Sequence, residues 1–584
     1  MIMYTILENA RIVIALLKKH NIRHIVISPG GSNIPIAQGV QQDPFFKCYS
    51  VVDERSAIYF AIGLYHETGE IIACSCTSAQ ATRNYIPGLT EAFYKRAPIL
   101  AITMSKHPRY LSQDYMQCPI QTSLPIDAVK KSYSLPRIND DNDRSLCVRT
   151  ANEAILELTH HGNGPVQLNI EELDSETWKF NTQLELPEVR CIERFNTASS
   201  CKNDLLDKRI MLLIGEHRVF SDSEIAAIEA FCKSYNVFVY AHHISNYHGE
   251  YALNANAAVS FMSQGLFAES FCPDILITIG GLTGDYGIYM PLFASKPGAF
   301  EHWRVDVDGN VIDTYGKLTR IYEMSVYDFF SAISLDSETN HSYFNIWKAA
   351  VDSVNMDIDI PLSNLYVASQ LHSLIPSNSR MNFAILNSLR VWGYFPLGPS
   401  VVCASNVAAF GIDGCMSLLL GQSMETKNLS FLVTGDLAFY YDMNALGIRH
   451  IRNNVRILLI NNNGGAEFKL GGLESKTDVS THISAAGHFK SAHGWAEDCG
   501  FTYISVKSKE DLDKYKKSFV AISDKPILME VFTTPEAERT ANQTIASSNI
   551  AMTSSEMFVK NMKTTVKKIL GDDMIKKTKE ILSK

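Results

Sequence analysis

Short apolar runs alternate with longer segments of helical periodicity along the chain, most clearly in its C-terminal third. The apolar run 431–433 ends at Gly435 and Asp436, a helical pattern continues to Ile451, and a second apolar run, 455–460, ends in a loop rich in asparagine and glycine. Strand, helix and strand in this order predict a parallel βαβ unit. Polar side chains then follow both strands at the edge where open α/β sheets bind their ligands.

The same alternation recurs in the rest of the chain. In the N-terminal third, apolar strands are predicted at 24–27, 48–52, 71–76, 98–104 and 166–170. In the middle, they are predicted at 209–214, 237–240, 275–279 and 303–307. Strands that alternate with helices predict α/β domains with doubly wound, mainly parallel sheets.

Composition narrows the class of protein. At 584 residues the chain exceeds the size of one hydrophobic core, so several domains are expected. Its 46% hydrophobic and 20% charged residues are typical of a soluble globular protein, and no apolar run approaches the roughly 20 residues of a membrane span. The formal charge of −9 offers no basic footprint for nucleic acid. The 12 cysteines lack the paired spacing of metal sites, which favours reduced thiols in the cytoplasm.

Asp436 and Asn462 bring a carboxylate and an amide oxygen to neighbouring strand ends. These ligands suit a hard cation such as Mg2+, and glycines such as Gly464 let the backbone approach phosphate groups closely. The Gly-Asp pair ends at Asp436, and an Asn-Asn pair further along the chain ends at Asn462. This order and spacing resemble the diphosphate-magnesium motif of thiamine diphosphate (ThDP) enzymes. Either half alone favours an ordinary βαβ turn, and it is the combined spacing that favours a cofactor site.

Further motifs occur in the order and spacing of one enzyme family. In the N-terminal third these are HIVISPGG, VDERSAIYFAIGL, CTSAQATRNYIPGLTEA and the segment around Gln117. They resemble the pyrimidine-binding domain of 2-succinyl-5-enolpyruvyl-6-hydroxy-3-cyclohexene-1-carboxylate (SEPHCHC) synthases, the ThDP enzymes of menaquinone biosynthesis. The likeness continues at 387–389, 411–414 and 435–437, and it extends over most of the chain.

The resemblance implies three doubly wound α/β domains in the ThDP-enzyme (pyruvate decarboxylase-like) architecture. The expected boundaries are 1–185 for a pyrimidine-binding domain, 186–340 for a central Rossmann-like domain, 341–545 for a domain that binds diphosphate and Mg2+, and 546–584 for a helical tail. The glycines at 280–284 lack the GxGxxG spacing of a dinucleotide site, so FAD is not expected. In this fold class the pyrimidine and diphosphate sites come from different subunits, which implies a homodimer or homotetramer.

The resemblance also assigns residues to the site. It makes Glu54 the carboxylate that activates the cofactor through N1′ of the aminopyrimidine, although this residue alone favours a salt bridge with Arg55 or an acid at a helix N-terminus. Ile412 is expected to wedge between the two rings of ThDP, and His107 and Gln117 are candidates, by position only, for handling protons. The remaining residues expected to bind the cofactor are Thr77, Ser78, Ser388, Gly435, Asp436, Leu437, Asn462, Gly464 and Phe468. Those expected to bind Mg2+ are Asp436, Asn462 and Gly464.

The chain departs from the family where cations hold dicarboxylate substrates, and a buried carboxylate without donors is costly. By the resemblance, three of the family's arginines correspond to Ser32, to Val407 and to a position near Trp392, and a lysine corresponds to Asp285. An apolar neighbour of the active-site phenylalanine is replaced by Glu467, while Arg390 is a cation that a small shift would bring into position. The residues expected to face the substrate are Ser32, Lys106, Asp285, Arg390, Trp392 and Glu467.

The loss of several cations together favours an enzyme that keeps the cofactor chemistry and has a redesigned substrate pocket. The main hypothesis is a ThDP- and Mg2+-dependent decarboxylase of a 2-oxo acid that protonates the enamine or transfers it to an acceptor such as a sugar. One alternative is SEPHCHC synthase itself, which acts on 2-oxoglutarate and isochorismate. Another is a catalytically silent subunit with the same fold.

Overall fold

The chain forms two compact units. One consists of the residues up to Asn196 together with Val307–Glu323, and the other of Thr197–Asp306 together with the residues from Met324 onwards. The computed structural model describes residues 2–172, 178–284, 286–470 and 482–557. Parallel sheets with helices between their strands confirm the predicted α/β class. The boundaries of the three expected domains stay predictions.

Strands and helices alternate through the N-terminal region. They are β1 (Tyr4–Thr5), α1 (Glu8–Lys19), β2 (His24–Ile27), α2 (Ile34–Gln41), β3 (Lys47–Ser50), α3 (Glu54–Thr68), β4 (Ile72–Cys76), α4 (Gln80–Asn84), α5 (Ile86–Tyr94), β5 (Ile99–Ser105), β6 (Ser132–Leu135), α6 (Asp141–Glu157), β7 (Val166–Glu171), β8 (Phe180–Asn181) and β9 (Glu193–Phe195).

The middle of the chain continues the alternation. Its elements are β10 (Ile210–Ile214), α7 (Asp222–Ser234), β11 (Val237–Ala241), β12 (Ala252–Leu253), α8 (Asn256–Ser260), α9 (Gln264–Leu266), β13 (Ile275–Ile279), α10 (Tyr289–Ala294), β14 (Glu301–Val305), β15 (Leu318–Tyr322) and α11 (Val326–Ile333).

The C-terminal region adds a further set of alternating elements. They are α12 (Ser342–Asp352), α13 (Asn364–Leu371), β16 (Arg380–Phe383), α14 (Asn387–Trp392), β17 (Val402–Ser405), α15 (Cys415–Ser423), β18 (Ser430–Gly435), α16 (Asp436–Tyr441), β19 (Val455–Asn461), α17 (Glu467–Leu470), α18 (His493–Asp498), β20 (Thr502–Val506), α19 (Lys509–Phe519), β21 (Ile527–Phe532) and α20 (Pro535–Asn549). Within the described ranges, no helix is both long and apolar enough to cross a bilayer.

A six-stranded parallel sheet forms the centre of the first unit. Its strand order is β3-β2-β4-β5-β7-β6, and every residue of β4 is buried, as expected for a parallel strand covered on both faces. Leu16 of α1 and Ile155 of α6 belong to one core cluster, while Ile58 of α3 and Leu89 of α5 belong to another. The sheet is therefore doubly wound, with a separate core on each face.

The second unit contains a sheet with the same winding. Its strand order is β17-β16-β18-β19-β21-β20, and all of its pairings are parallel. The chain begins at an inner strand, adds one neighbour on one side and then continues on the other side, so the order reverses between β16 and β18. Open α/β sheets bind ligands outside the carboxyl ends of the strands at such a reversal.

The strands from the middle of the chain follow a different order. In the second unit, β12, β11, β10, β13 and β14 are neighbours in that order and run parallel. This is the 3-2-1-4-5 order of a Rossmann-like sheet with β10 at its centre. In the first unit, β15 pairs in parallel with β9.

The helix expected to continue to Ile451 is interrupted. α16 ends at Tyr441, and a separate 3-10 turn covers Met443–Gly447. Between them, the carboxylate of Asp442 accepts hydrogen bonds from the backbone N–H and the hydroxyl of Ser417, both at 2.8 Å. Asp442 thus satisfies a backbone donor in the first turn of α15, which favours a break in its own helix.

Gly88 of α5 offers a test of the packing that supports α3. A Cβ at this position would lie 2.6 Å from Cβ of Ile58 and 3.3 Å from the carbonyl oxygen of Arg55. We expect Gly88→Ala to lower the free energy of unfolding by about 1–3 kcal/mol, since overpacking must displace one helix. Gly494→Ala in α18 is the matched control, because nothing lies within 4 Å of its added Cβ. Thermal unfolding followed by circular dichroism should show a loss for the first variant and no loss for the second.

Candidate active site

A buried carboxylate, Asp436, lies at the carboxyl end of β18. Its Oδ2 accepts hydrogen bonds from the backbone N–H of Gly464 and from Nε2 of His488, both at 2.9 Å, and its Oδ1 accepts the N–H of Leu437 at 2.7 Å. Burial raises the pKa of this carboxyl, and the hydrogen bond from His488 opposes the rise. Three donors therefore hold one acidic group in place at the sheet edge.

The end of the next strand adds the buried side-chain amide of Asn462. Oδ1 of Asn462 is buried and accepts no hydrogen bond from the described residues, although buried polar atoms nearly always have a partner. Gly464 has a φ of +146°, and a Cβ there would lie 2.8 Å from the carbonyl oxygen of Ser484. A buried carboxylate beside an unsatisfied amide oxygen is the kind of donor set that Mg2+ takes. Asp436 and Asn462 thus fit the expected cation.

One glutamate that the sequence patterns did not single out organises this edge. Glu530 of β21 is fully buried and accepts hydrogen bonds from Asn461, Ser491 and Tyr503, each at 2.7 Å. It ties the end of β19 to the segment that carries His488, because a buried carboxylate needs several donors. A glutamate inside an otherwise apolar strand was the signal available in the sequence.

The other expected cofactor residues of the second unit also follow carboxyl ends of strands. Gly435 has no atom within 4 Å of an added Cβ, so the space beside it is open. Ser388 is buried at the start of α14, Leu437 is half-buried, and Ile412 is half-buried against a core cluster. Phe468 is exposed. Their individual roles stay predictions.

In the first unit, Glu54 is the first residue of α3 and is half-buried. Its Oε2 accepts a hydrogen bond from the side-chain amide of Asn84 at 3.0 Å. Arg55 instead lies 3.9 Å from Asp53, whose carboxylate caps α3 by accepting the N–H of Ser56 at 2.8 Å. The sequence left open a salt bridge between Glu54 and Arg55, but in the structure Arg55 lies beside Asp53.

Thr77 and Ser78 follow β4, next to the loop that follows β2. Oγ1 of Thr77 accepts the backbone N–H of Ser32 at 3.2 Å, and the hydroxyls of Ser32 and Ser78 lie 3.2 Å apart. A Cβ on Gly30 would collide with the side chain of Thr77, so only glycine permits this close approach. Ser32, which was expected to face the substrate, also donates to Glu172 at 3.1 Å.

Lys106 and His107 follow β5, and both face glutamates at the end of β7. Nζ of Lys106 lies 3.2 Å from Oε1 of Glu172, and Nε2 of His107 lies 3.7 Å from Oε1 of Glu171. Burial raises the pKa of Glu171, against the charge of His107. The two adjacent glutamates are candidate site residues that the motif comparison missed, and their place after a buried strand was the available signal.

Two glutamines lie close together in sequence but differ in environment. Gln117 is exposed with a φ of +59°. Gln121 is buried, accepts the N–H of Ala79 at 2.7 Å and donates to Asn169 at 3.2 Å. It therefore supports the turn after Ser78, where Ala79 has a φ of +68°. The proton-handling role of Gln117 stays a prediction.

Two residues that depart from the family pattern contact each other. Nη1 and Nη2 of Arg390 lie 3.0 Å from Oε2 and Oε1 of Glu467, which forms a two-point ion pair. Trp392, in contrast, is fully buried and donates its indole N–H to Oδ1 of Asn364 at 3.2 Å, so it belongs to the core rather than to a substrate pocket. Asp285 lies outside the described residues.

A second buried glutamate supports the start of α14, the helix that carries Arg390. The carboxylate of Glu538 accepts hydrogen bonds from the backbone N–H of Asn364 at 2.9 Å and from the hydroxyl of Thr533 at 2.8 Å. The side-chain amide of Asn364 donates in turn to the carbonyl oxygen of Asn387 at 3.1 Å, at the start of α14. Burial raises the pKa of Glu538 to about 7, and the two hydrogen bonds oppose the rise.

Glu538 should make stability depend on pH near neutrality. Folding raises its pKa from 4.5 to about 7, so its stabilising effect is complete below pH 4.5 and is lost as the pH rises through 7. The loss should approach about 3 kcal/mol. We expect Glu538→Gln to flatten the unfolding free energy between pH 5 and 8, relative to wild type. Glu536→Gln, at an exposed position of the same helical turn, should keep the wild-type slope, and chemical denaturation at several pH values measures both.

Comparison with known proteins adds a finding over nearly the whole chain. Residues 8–124, which include Glu54, match the family of thiamine pyrophosphate enzymes, N-terminal TPP binding domain. The enzyme named 2-succinyl-5-enolpyruvyl-6-hydroxy-3-cyclohexene-1-carboxylate synthase from Phocaeicola vulgatus is 35% identical over 551 residues, covering 92% of this chain and 98% of that relative. The enzymes of the same name from Bacteroides fragilis and Bacteroides thetaiotaomicron are 34% and 33% identical, covering 91% of this chain and 97% and 96% of those relatives.

Proposed function

Because the chain belongs to the SEPHCHC synthase family of thiamine diphosphate enzymes, we propose that it decarboxylates 2-oxoglutarate and transfers the remaining unit to isochorismate. The observation that carries the proposal is the 35% identity over 98% of a relative with that name. The hypothesis of a different substrate rested on missing cations. It has less support than its alternative, because the three relatives described above share one name. Nothing observed favours a sugar acceptor.

The residues at the two strand edges have distinct tasks in this proposal. Asp436, Asn462 and Gly464 would hold Mg2+, and the buried position of Asp436 would strengthen its attraction for the cation because the local dielectric constant is low. Bound thiamine diphosphate supplies a nucleophilic carbon in its thiazolium ring. Glu54 would hold N1′ of the aminopyrimidine, and the hydrogen bond from Asn84 orients the Glu54 carboxyl.

In this proposal two cations, each paired with a glutamate, contribute positive charge near the substrate carboxylates. Lys106 lies beside Glu172 at the edge of the first unit, and Arg390 lies beside Glu467 at the edge of the second. Charge-assisted hydrogen bonds from such groups are among the strongest in proteins. The proposal therefore treats them as replacements for cations that other family members place elsewhere.

Glu54→Gln tests the catalytic assignment. The amide keeps the size of the side chain but cannot share a proton with N1′, so kcat should fall by about 10²- to 10⁴-fold. Binding of ThDP with Mg2+, followed by isothermal titration calorimetry, should change much less. Glu67→Gln, at an exposed position of the same helix, is the matched control and should keep wild-type activity.

Activity is measured as CO2 release from 2-oxoglutarate together with product formation from isochorismate. Equal activity of the Glu54→Gln and Glu67→Gln variants would contradict the role of Glu54. If the wild-type protein binds ThDP but releases CO2 only from another 2-oxo acid, the result would favour the hypothesis of a redesigned substrate pocket. Absence of ThDP binding would favour the hypothesis that the chain is a catalytically silent subunit with the same fold.

We also propose a homodimer or homotetramer in which α3 lies at a subunit interface. Tyr59 and Phe60 of this helix are 47% and 42% exposed in the single chain, and Val52 just before it is exposed as well. Aromatic side chains that face water beside a candidate catalytic residue are typical of an interaction surface. An interface here would place Glu54 next to a second copy of the chain.

Phe60→Glu should weaken this assembly, because it would bury a charge without a partner. We expect sedimentation velocity to show a shift from dimer or tetramer toward monomer, together with weaker ThDP binding. Ile522→Glu, at another exposed apolar position, should leave the assembly intact. A wild-type monomer with full activity would refute the proposed interface.

A further inference from the structure

The ion pair between Arg390 and Glu467 joins two positions where this chain departs from its family. Arg390 stands two residues before the position of a family arginine, and Glu467 replaces an apolar residue. Each guanidinium nitrogen of the pair lies 3.0 Å from a different carboxylate oxygen. The two positions therefore form one charge-assisted, two-point contact.

The pair lies at the edge where the candidate cofactor residues lie. Arg390 is in α14, which follows β16, and Glu467 begins α17, which follows β19. β18, which leads into Asp436, lies between these two strands in the sheet. The ion pair therefore connects the two loops on either side of the Asp436 strand.

Partial exposure makes the pair open to exchange. The side chains of Arg390 and Glu467 are 23% and 28% exposed, so both are reachable from solvent. Nη1 of Arg390 also lies 3.3 Å from Oδ1 of Asn387, which holds the guanidinium from a second side. If Glu467 turned away, the arginine would stay oriented, and the released carboxylate would be hydrated at little cost.

The ion pair formed by Lys106 in the first unit is different. Its partner Glu172 is only 3% exposed and also accepts the hydroxyl hydrogen bond of Ser32. Releasing that carboxylate would leave a charge buried among protein atoms, which is costly. Exchange is therefore favoured at Arg390 and disfavoured at Lys106.

We propose that Glu467 stands in for a substrate carboxylate on Arg390 and is displaced by it. The inference rests on the proposed function and adds a specificity-determining pair to it. Replacing one carboxylate by another conserves the charge and both hydrogen bonds at the guanidinium. A 2-oxo acid with a single carboxylate at the reacting end has no second group for this exchange. The pair thus selects dicarboxylates, and the displacing carboxylate comes from 2-oxoglutarate or from isochorismate.

Glu467→Gln tests displacement, because the amide keeps the shape but competes weakly for a guanidinium. We expect the KM of the displacing substrate to fall by about 2- to 5-fold, the range of a partly exposed ion pair. The KM of the other substrate should not change, which identifies the source of the carboxylate. Arg390→Met should raise the same KM by about 10- to 100-fold, and the double variant should match Arg390→Met. Glu497→Gln, which removes an exposed ion pair with His493, is the control with wild-type constants.

A binding measurement separates this inference from the proposed function. Glutarate, butyrate and isochorismate are each titrated calorimetrically into the full chain loaded with ThDP and Mg2+. Tighter binding of glutarate or isochorismate by Glu467→Gln, with butyrate unchanged, supports displacement even if wild type turns over neither proposed substrate. In that case the proposed function is contradicted, and the inference about Glu467 is still supported.

Other results overturn the inference. If Glu467→Gln weakens the binding of both dicarboxylates, Glu467 positions Arg390 instead of competing with the substrate. If neither dicarboxylate responds to Glu467→Gln or to the smaller Glu467→Ala, the pair does not meet a substrate. Circular dichroism and thermal unfolding of each variant verify that a change in binding does not come from a change in folding.

Discussion

The structure depends on one constraint, which is that parallel strands end together at a sheet edge and bring buried polar groups with them. Asp436 is the central case. An ionised carboxylate is costly to bury unless donors surround it, and Gly464, His488 and Leu437 supply those donors. Glu530 holds the adjoining segment in the same way through Ser491. The edge is therefore organised by hydrogen bonds within the protein, and among the described residues Oδ1 of Asn462 has no partner.

Each of the two units contains a sheet with the same strand order, and each sheet has polar residues near the carboxyl ends of its strands. In one sheet the edge carries Asp436 and Asn462, whose oxygen atoms suit a cation. Such a cation could in turn bind an anion. In the other, residues near the strand ends include Glu54 and Thr77, and glycine at position 30 allows two loops to approach closely. Each of these two edges is built within its own unit.

Acidic partners explain how this chain differs from its family while the proposed reaction stays the same. Lys106 and Arg390 each contact a glutamate, so neither cation stands as an uncompensated charge at its edge. The burial of Glu172 makes the first pair a fixed part of the structure. Glu467 is more exposed, so the second pair is reachable from solvent. A count of cations in the sequence suggested a new substrate, whereas the structure shows that two of the remaining cations are paired with glutamates.

The sequence by itself determined the α/β class and most of the strands, because these follow from local periodicity. Its motifs also resembled the family that the comparison with known proteins supports. The position of Trp392 in the chain suggested that it faces the substrate. In the structure its side chain is buried in the core. The break at Asp442 and the buried role of Gln121 likewise depend on partners elsewhere in the fold. Arg390 and Glu467 are 77 residues apart. Only the tertiary structure decided that they meet, because winding the strands into one sheet brings distant loops to the same edge.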